Sequence, residues 1–414
     1  MTIARSFNEK LEAYAQLIIR AGCNLKEGQD LQISCAIDCA DLARALTQTA
    51  YEQGAHRVWV KFYDEQISRM SYDYCPVEVF ETFPAWTALQ NNTLAREGCA
   101  ILSITSEDPE SLKGVDPAKL VAHARAAHDA CKEFYDCLDF GRTVWCIVGA
   151  AAPAWARRVF PTLPEDQAME HLWDAILHTA RADGEDPLAD WEAHKISFRS
   201  RMKLLNEYHF TQLHYSNARG TDFTVGLPDA HIWKGGGDET IDGTYFFPNI
   251  PTEEIFTTPD RRMAEGIVYA ALPLVHNGSI ISDFWLRFTK GKVSGFGAQE
   301  GYEVLKSILD TDDGANYLGE VALVPYTSPI RQTGILFYNT LFDENASCHL
   351  ALGKGFPDCY EGGQEMTEES LLAAGVNTSA THVDFMIGTE DLRIEGIRTD
   401  GSVITIFEQG VWAF

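Results

Sequence analysis

From Asp30 the chain runs apolar over Leu31–Ile37, turns to helical spacing over Asp41–Gln53, breaks at Gly54 and runs apolar again over Arg57–Phe62. A strand, helix and strand of these lengths fit one right-handed crossover unit, and such a unit requires a parallel sheet. The alternation repeats through the Cys99–Thr105 run, the helical Pro117–Phe134 segment and the Thr143–Gly149 run, so the first part of the chain is expected to be an open α/β layer. No GxGxxG or GKS/T motif follows any of these runs, which removes the usual argument for a bound nucleotide and leaves the layer as a scaffold or substrate platform.

Glu165–Arg181 reads as a further helix, and Asp190–Tyr208 as the segment that carries the chain onward. Beyond it the texture changes. Short β-rich runs at His209–Tyr215, Gly266–Leu274, Ser279–Phe288, Gly319–Val324 and Gly401–Phe407 alternate with Gly, Pro, Asn and Asp turns, and only Gln299–Asp310 and Thr367–Ala374 have helical texture. The expected fold is therefore an N-terminal open α/β domain over 1–190, followed over 191–414 by a mixed, mainly antiparallel β-rich domain. A length of 414 residues suits two such cores.

Charge narrows the partners. Sixty acidic against thirty-three basic residues leave a formal charge of −27, which repels a phosphate backbone, so nucleic acid is not expected. A solvated acidic surface is the bland reason for such a charge; attraction of metal ions or of a peptide ammonium group is the functional one. Met1–Cys23 mixes Arg5, Glu9, Lys10 and Glu12 with apolar residues at helical spacing and lacks the apolar core of a signal peptide. The longest apolar candidate, Val144–Ala156, is short, broken by Gly149 and Pro153, and reads as a buried strand with its exit turn. The ten cysteines contain no CxxC pair and are expected to be reduced thiols. A cytoplasmic location with no membrane partner follows as the expectation.

Four segments of the second part gather acidic and imidazole groups of the kind that hard or borderline divalent metals prefer: Asn249-Ile-Pro-Thr-Glu253-Glu254, Gly319-Glu320-Val, Asp343-Glu344-Asn345-Ala-Ser-Cys-His349 and Thr381-His382-Val-Asp384. His382 and Asp384 are two apart in an apparent strand and so project from one face. Glu344 and His349 flank a loop-like Asn-Ala-Ser. Each spacing is unspecific alone, since a single strand histidine is more often a hydrogen-bonded core or surface residue than a ligand. His56, His123, His209 and His276 are left unassigned on that ground. Asp312-Asp313, ahead of Gly314, reads as a solvated turn ending a helix.

Read together, the segments resemble the M29 metallo-aminopeptidases of the aminopeptidase T and aminopeptidase S type, over nearly the whole length. The resemblance is carried by Asn249-Ile-Pro-Thr-Glu-Glu-Ile-Phe-Thr-Thr-Pro259, Leu309-Asp-Thr-Asp-Asp-Gly-Ala315, Leu318-Gly-Glu-Val-Ala-Leu-Val-Pro325, Phe337-Tyr-Asn-Thr-Leu-Phe-Asp-Glu-Asn345 and His349-Leu-Ala-Leu-Gly353. It implies a two-lobed homodimer that removes N-terminal residues from peptides with a free α-amine, through attack of a water bridging two divalent metals (Zn, Co, Mn or Mg). The ligands it implies are Glu254, Glu320, Glu344, His349, His382 and Asp384, with Glu320 as the bridge and Glu253 as general base; which of Glu253 and Glu254 binds metal is open. It also implies a tyrosine seven positions beyond His349, where this chain has Phe356. Family variation, replacement by Tyr360 or by a bound water, or a different activity would each account for that departure. His349, His382 and Asp384 would equally suit a mononuclear iron dioxygenase, and a catalytically silent metal- or peptide-binding protein is the third alternative.

Overall fold

The computed structural model of the chain describes residues 5–276 and 278–414. Of the Met1–Cys23 stretch, Met1–Ala4 lie outside the described residues. The chain divides into two compact units, Met1–Lys195 with Gly237–Pro251, and Ile196–Gly236 with Thr252–Phe414. In place of one boundary near 190, the division falls inside the helix Pro187–Tyr208, and a later segment returns to the first unit.

The crossover pattern forms a parallel sheet in the first unit. Strands β1 (Asp30–Ala36) and β2 (Arg57–Tyr63) pair in parallel, with the helix Ala40–Glu52 between them in sequence. On the other side of β1 lie β3 (Ala100–Thr105) and then β4 (Trp145–Gly149), also parallel. The two-residue strand Asn249–Ile250 adds a fifth edge beside β4, anchored where the Ile147 amide donates to the Pro248 carbonyl at 2.7 Å. Phe247 packs edge-on against buried Trp191 at 4.6 Å, which explains why 237–251 belongs to this core. The expected helix Pro117–Phe134 is two helices, Pro117–Ala130 and Lys132–Asp139, parted at Cys131 where the backbone leaves helical angles. Val144–Ala156 does not end in a turn: Pro153 opens the helix Pro153–Val159, at the first position, where its missing N–H costs nothing.

The second unit is built on antiparallel sheets. The strands of an eight-stranded sheet include Phe210–Ser216, Asp222–Gly226, Ala264–Tyr269 and Trp285–Thr289. The sequence run Ser279–Phe288 is split there into Ser279–Ile281 and Trp285–Thr289, with Asp283 at φ 46° between them. Gly266–Leu274 is likewise split, its first half ending the strand Ala264–Tyr269 and Leu274 opening the strand Leu274–His276. A second sheet of five strands runs in the order β9 (His382–Met386), β8 (His349–Gly353), β7 (Leu318–Leu323), β6 (Ile255–Thr257), β5 (Lys234–Gly235). Alternation along it decides what faces what. Ile255, Val321, Leu323, Leu350, Leu352, Val383 and Phe385 all enter one core with Leu213, Tyr215, Phe223 and Phe288 from the larger sheet. The residues between them in sequence therefore line the opposite face.

Asp312 does more than end a helix. Its carboxylate accepts from the Ser379 hydroxyl and the Ala380 and Ala315 amides, tying the segment before β9 to the turn before β7. All ten cysteines are free. Among the described residues no helix is long and apolar enough to cross a membrane.

Candidate metal centre

The face of the five-stranded sheet turned away from its core carries Glu320 on β7, His349 on β8, and His382 and Asp384 on β9, with Glu254 immediately before β6. Cross-strand register sets a row Glu320–Ala351–Asp384, while Ala322 lies opposite His349 and Gly353 opposite His382. Ala322, Ala351 and Gly353 are the smallest residues available, so the space among the long side chains stays open. A backbone irregularity between Leu318 and Glu320 shifts the register there. Gly319 lets that turn approach: a Cβ on it would lie 2.2 Å from the Lys354 carbonyl oxygen.

Two trios of ligating atoms converge, Glu254, Glu320 and His349 in one and Glu320, His382 and Asp384 in the other. Glu320 belongs to both. His349 Nε2 is 3.2 Å from Glu254 Oε2 and 4.0 Å from Glu320 Oε1. His382 Nε2 is 3.1 Å from Glu320 Oε2 and 3.2 Å from Asp384 Oδ1. Glu344, in the short turn Glu344–Ala346, stands outside both trios but near enough to feel Glu254, Asp384 and Glu320 electrostatically. The two histidines fall in different trios, which argues against a single iron held by both.

The outer nitrogen of each ring is fixed by backbone. His349 Nδ1–H donates to the Ser347 carbonyl at 3.0 Å and His382 Nδ1–H to the Lys354 carbonyl at 2.7 Å. In that tautomer a neutral ring offers only a lone pair at Nε2, aimed at carboxylate lone pairs, an arrangement that repels unless a proton or a cation lies between. Burial alone would keep the rings neutral, yet for His349 the Glu254 hydrogen bond and the charge of Glu320 outweigh it and push it up to about 10. Against the same burial, Asp384 and Glu320 push His382 up to about 11. Burial and the neighbouring Asp384 raise Glu320 to about 7 despite its bond to His382. Burial, then Glu254 and Asp384, raise Glu344 as well. Asp384 Oδ1 is buried with the His382 ring nitrogen 3.2 Å away. The cluster is short of positive charge, and oxygen-rich donors with two imidazoles fit divalent metal ions in that role.

Glu253 belongs to neither trio. Its amide donates to Asn345 Oδ1 at 2.7 Å, its side chain is buried, and its charge acts on the half-buried Arg201 guanidinium. Asn345, fully buried, also donates to the Leu341 carbonyl and contacts Glu344 Oε1, so one amide ties the Glu253 and Glu344 segments together. Phe356 packs its ring 5.0 Å from the His382 ring and 5.3 Å from Phe256. Tyr360 reaches Arg262 electrostatically instead. Sequence reasoning did not single out Asn345, Arg201 or Asp343. Buried Asp343 accepts from the Phe337 and Asn339 amides at 2.8 and 3.0 Å, and its place beside Glu344 was the one available signal.

Comparison with known proteins agrees with this architecture. Aminopeptidase AmpS of Bacillus subtilis is 42% identical over 409 residues, covering 99% of this chain and 100% of that protein. Aminopeptidase T of Thermus thermophilus is 40% identical over 407 residues, covering 98% and 99%. The solved structure of wild-type AmpT from Thermus thermophilus matches with a TM-score of 0.92 at 39% identity, over 99% of this chain and 100% of that one. A 2,5-dihydroxypyridine dioxygenase from Pseudomonas putida matches with a TM-score of 0.52 at 12% identity, over 98% and 97%, a likeness of fold alone. The model of the thermophilic metalloprotease family M29 matches residues 7–412, and the chain belongs to that family.

Proposed function

We propose that this chain is a metal-dependent aminopeptidase in which Glu254, Glu320, Glu344, His349, His382 and Asp384 hold two divalent cations (Zn, Co, Mn or Mg), with Glu320 shared between them. The observation that carries the reading is the pair of trios with Glu320 in common on one face of one sheet. Bound there, such ions supply Lewis acidity toward a peptide carbonyl and a water of lowered pKa. The carboxylates of the cluster also attract the free α-ammonium group of a peptide, which restricts cleavage to the first bond. The Ser347 and Lys354 carbonyls hold the two rings in the tautomer that turns Nε2 inward. Glu253 takes the proton from the attacking water on a carboxylate oxygen and delivers it to the departing amine nitrogen. Phe356 covers His382 with an apolar ring and keeps water from that side. A cytoplasmic homodimer belongs to the same reading.

Release of chromophore from aminoacyl-nitroanilides by chelator-stripped protein, with each metal restored in turn and with and without oxygen, tests it. Hydrolysis restored by metal, indifferent to oxygen and abolished by acetylating the α-amine is expected. No hydrolysis with any metal would overturn the reading, and iron- and oxygen-dependent ring cleavage would replace it with the dioxygenase.

A further inference from the structure

We infer that Asn345 is a positioning residue of the metal centre, whose single carboxamide sets the spacing of the Glu254 and Glu344 carboxylates. The inference rests on the metal-binding part of the aminopeptidase reading. The other four proposed ligands, Glu320, His349, His382 and Asp384, stand on strands whose cross-strand register fixes their spacing. Glu254 lies just before β6, which begins at Ile255, and Glu344 opens the turn Glu344–Ala346, so no strand ladder places either carboxylate. Charge works against their approach as well: after burial, Glu254 is the group that acts most strongly on Glu344. Something else must hold the two segments together.

Asn345 bridges them. Its Oδ1 accepts from the Glu253 amide at 2.7 Å, one residue from Glu254, and its Nδ2 lies 3.4 Å from Glu344 Oε1 while donating to the Leu341 carbonyl at 3.0 Å. A carboxamide has an acceptor end and a donor end, and here each end takes a different segment of the chain. Asn345 is fully buried, so losing either bond leaves a polar group with no water to replace it. The Ser328 hydroxyl donates to the Asn345 carbonyl at 2.7 Å and steadies the same turn without touching the carboxamide. An ionised aspartate lacks the donor end and leucine lacks both, which makes asparagine specific to the task.

The test compares wild type with Asn345→Leu, which keeps the shape and removes both ends, and with Ser328→Ala, which loosens the turn alone. On chelator-stripped full-length protein, Zn²⁺ affinity is read by competition with a chromophoric chelator, and ligand geometry by the visible absorption of the Co²⁺-loaded form. Asn345→Leu should weaken Zn²⁺ binding by roughly 10- to 100-fold and change the Co²⁺ spectrum, with Ser328→Ala within about threefold of wild type and its spectrum unchanged. Asn345→Leu with wild-type affinity and spectrum, or Ser328→Ala impaired to the same degree, overturns the positioning role and leaves the aminopeptidase reading standing. Metal-loaded wild type that hydrolyses no aminoacyl-nitroanilide overturns the aminopeptidase reading alone, and the affinities still decide Asn345. Wild type that binds neither ion overturns both. Should Asn345→Leu fail to fold by circular dichroism, Asn345→Ala takes its place with the same expected and overturning results.

Discussion

Glu320 is the carboxylate common to both trios, so replacing it differs in kind from replacing Glu254 or Asp384. Glu320→Gln keeps the shape and removes the charge from both trios at once. Loss of a charged ligand costs at least roughly 100-fold in metal affinity, given that outer-shell partners alone are worth 10- to 100-fold. At a free metal concentration about 100 times the wild-type Kd, binding stabilises the folded chain by about 2.7 kcal/mol; with Kd raised 100-fold the same metal contributes about 0.4 kcal/mol. The loss is about 2.3 kcal/mol per site and about 4.6 kcal/mol for the two together, which for a unit of some 200 residues corresponds to about 9–18 °C of metal-induced Tm. Scanning calorimetry with and without metal, with metal content counted by mass spectrometry on the same samples, reads both quantities. Under those conditions Glu254→Gln and Asp384→Asn should each drop one site to about half occupancy, and Glu320→Gln both. Three variants with the same metal content, or Glu320→Gln with a wild-type shift, would refute the shared-ligand geometry.

Ala351→Leu puts a side chain between Glu320 and Asp384 in the cross-strand row; metal content should fall to below about a tenth while the variant stays folded at a cost of about 1–3 kcal/mol, checked by circular dichroism and metal analysis. Glu253→Gln should lower kcat by at least about 100-fold with metal content unchanged; near-normal turnover would remove Glu253 from proton transfer. His231 is pushed by burial down to about 4, so below about pH 6.5 the unfolded chain binds a proton that the folded chain refuses until about pH 4. Stability is thus lost as pH falls through that window, by about 2 kcal/mol at pH 5, and urea midpoints of metal-free wild type and His231→Asn should show the variant losing correspondingly less between pH 7 and 5.

The strand–helix–strand alternation from Asp30 was legible because it is local: each element carries its own period, and right-handed crossover fixes how they pair. The i, i+2 placement of His382 and Asp384 was legible for the same reason. What escaped depends on distant chain. Nothing around Asn249 signals that two of its residues will pair with β4, and nothing at Asp283 signals that its left-handed backbone will cut one apolar run into two strands. Within the site, the charged groups stood out by type, but Ala322, Ala351 and Gly353 matter through their smallness, visible only in register. Asn345 and Asp343 matter through the backbone amides they hold, and neither residue type announces that in sequence. Glu344 was expected as a metal ligand from the family resemblance, and its position outside both trios follows from the turn Glu344–Ala346, which the sequence showed only as a loop.

With metal bound, this cluster is proposed to remove residues from a free N-terminus. Incubating stripped and metal-restored protein with one unmodified peptide and its N-acetylated twin, and following both by mass spectrometry, tests it most directly. A ladder shortened from the N-terminus one residue at a time, only with metal and only for the free peptide, is expected. Internal or C-terminal cleavage, or an acetylated peptide shortened at the same rate, would contradict it.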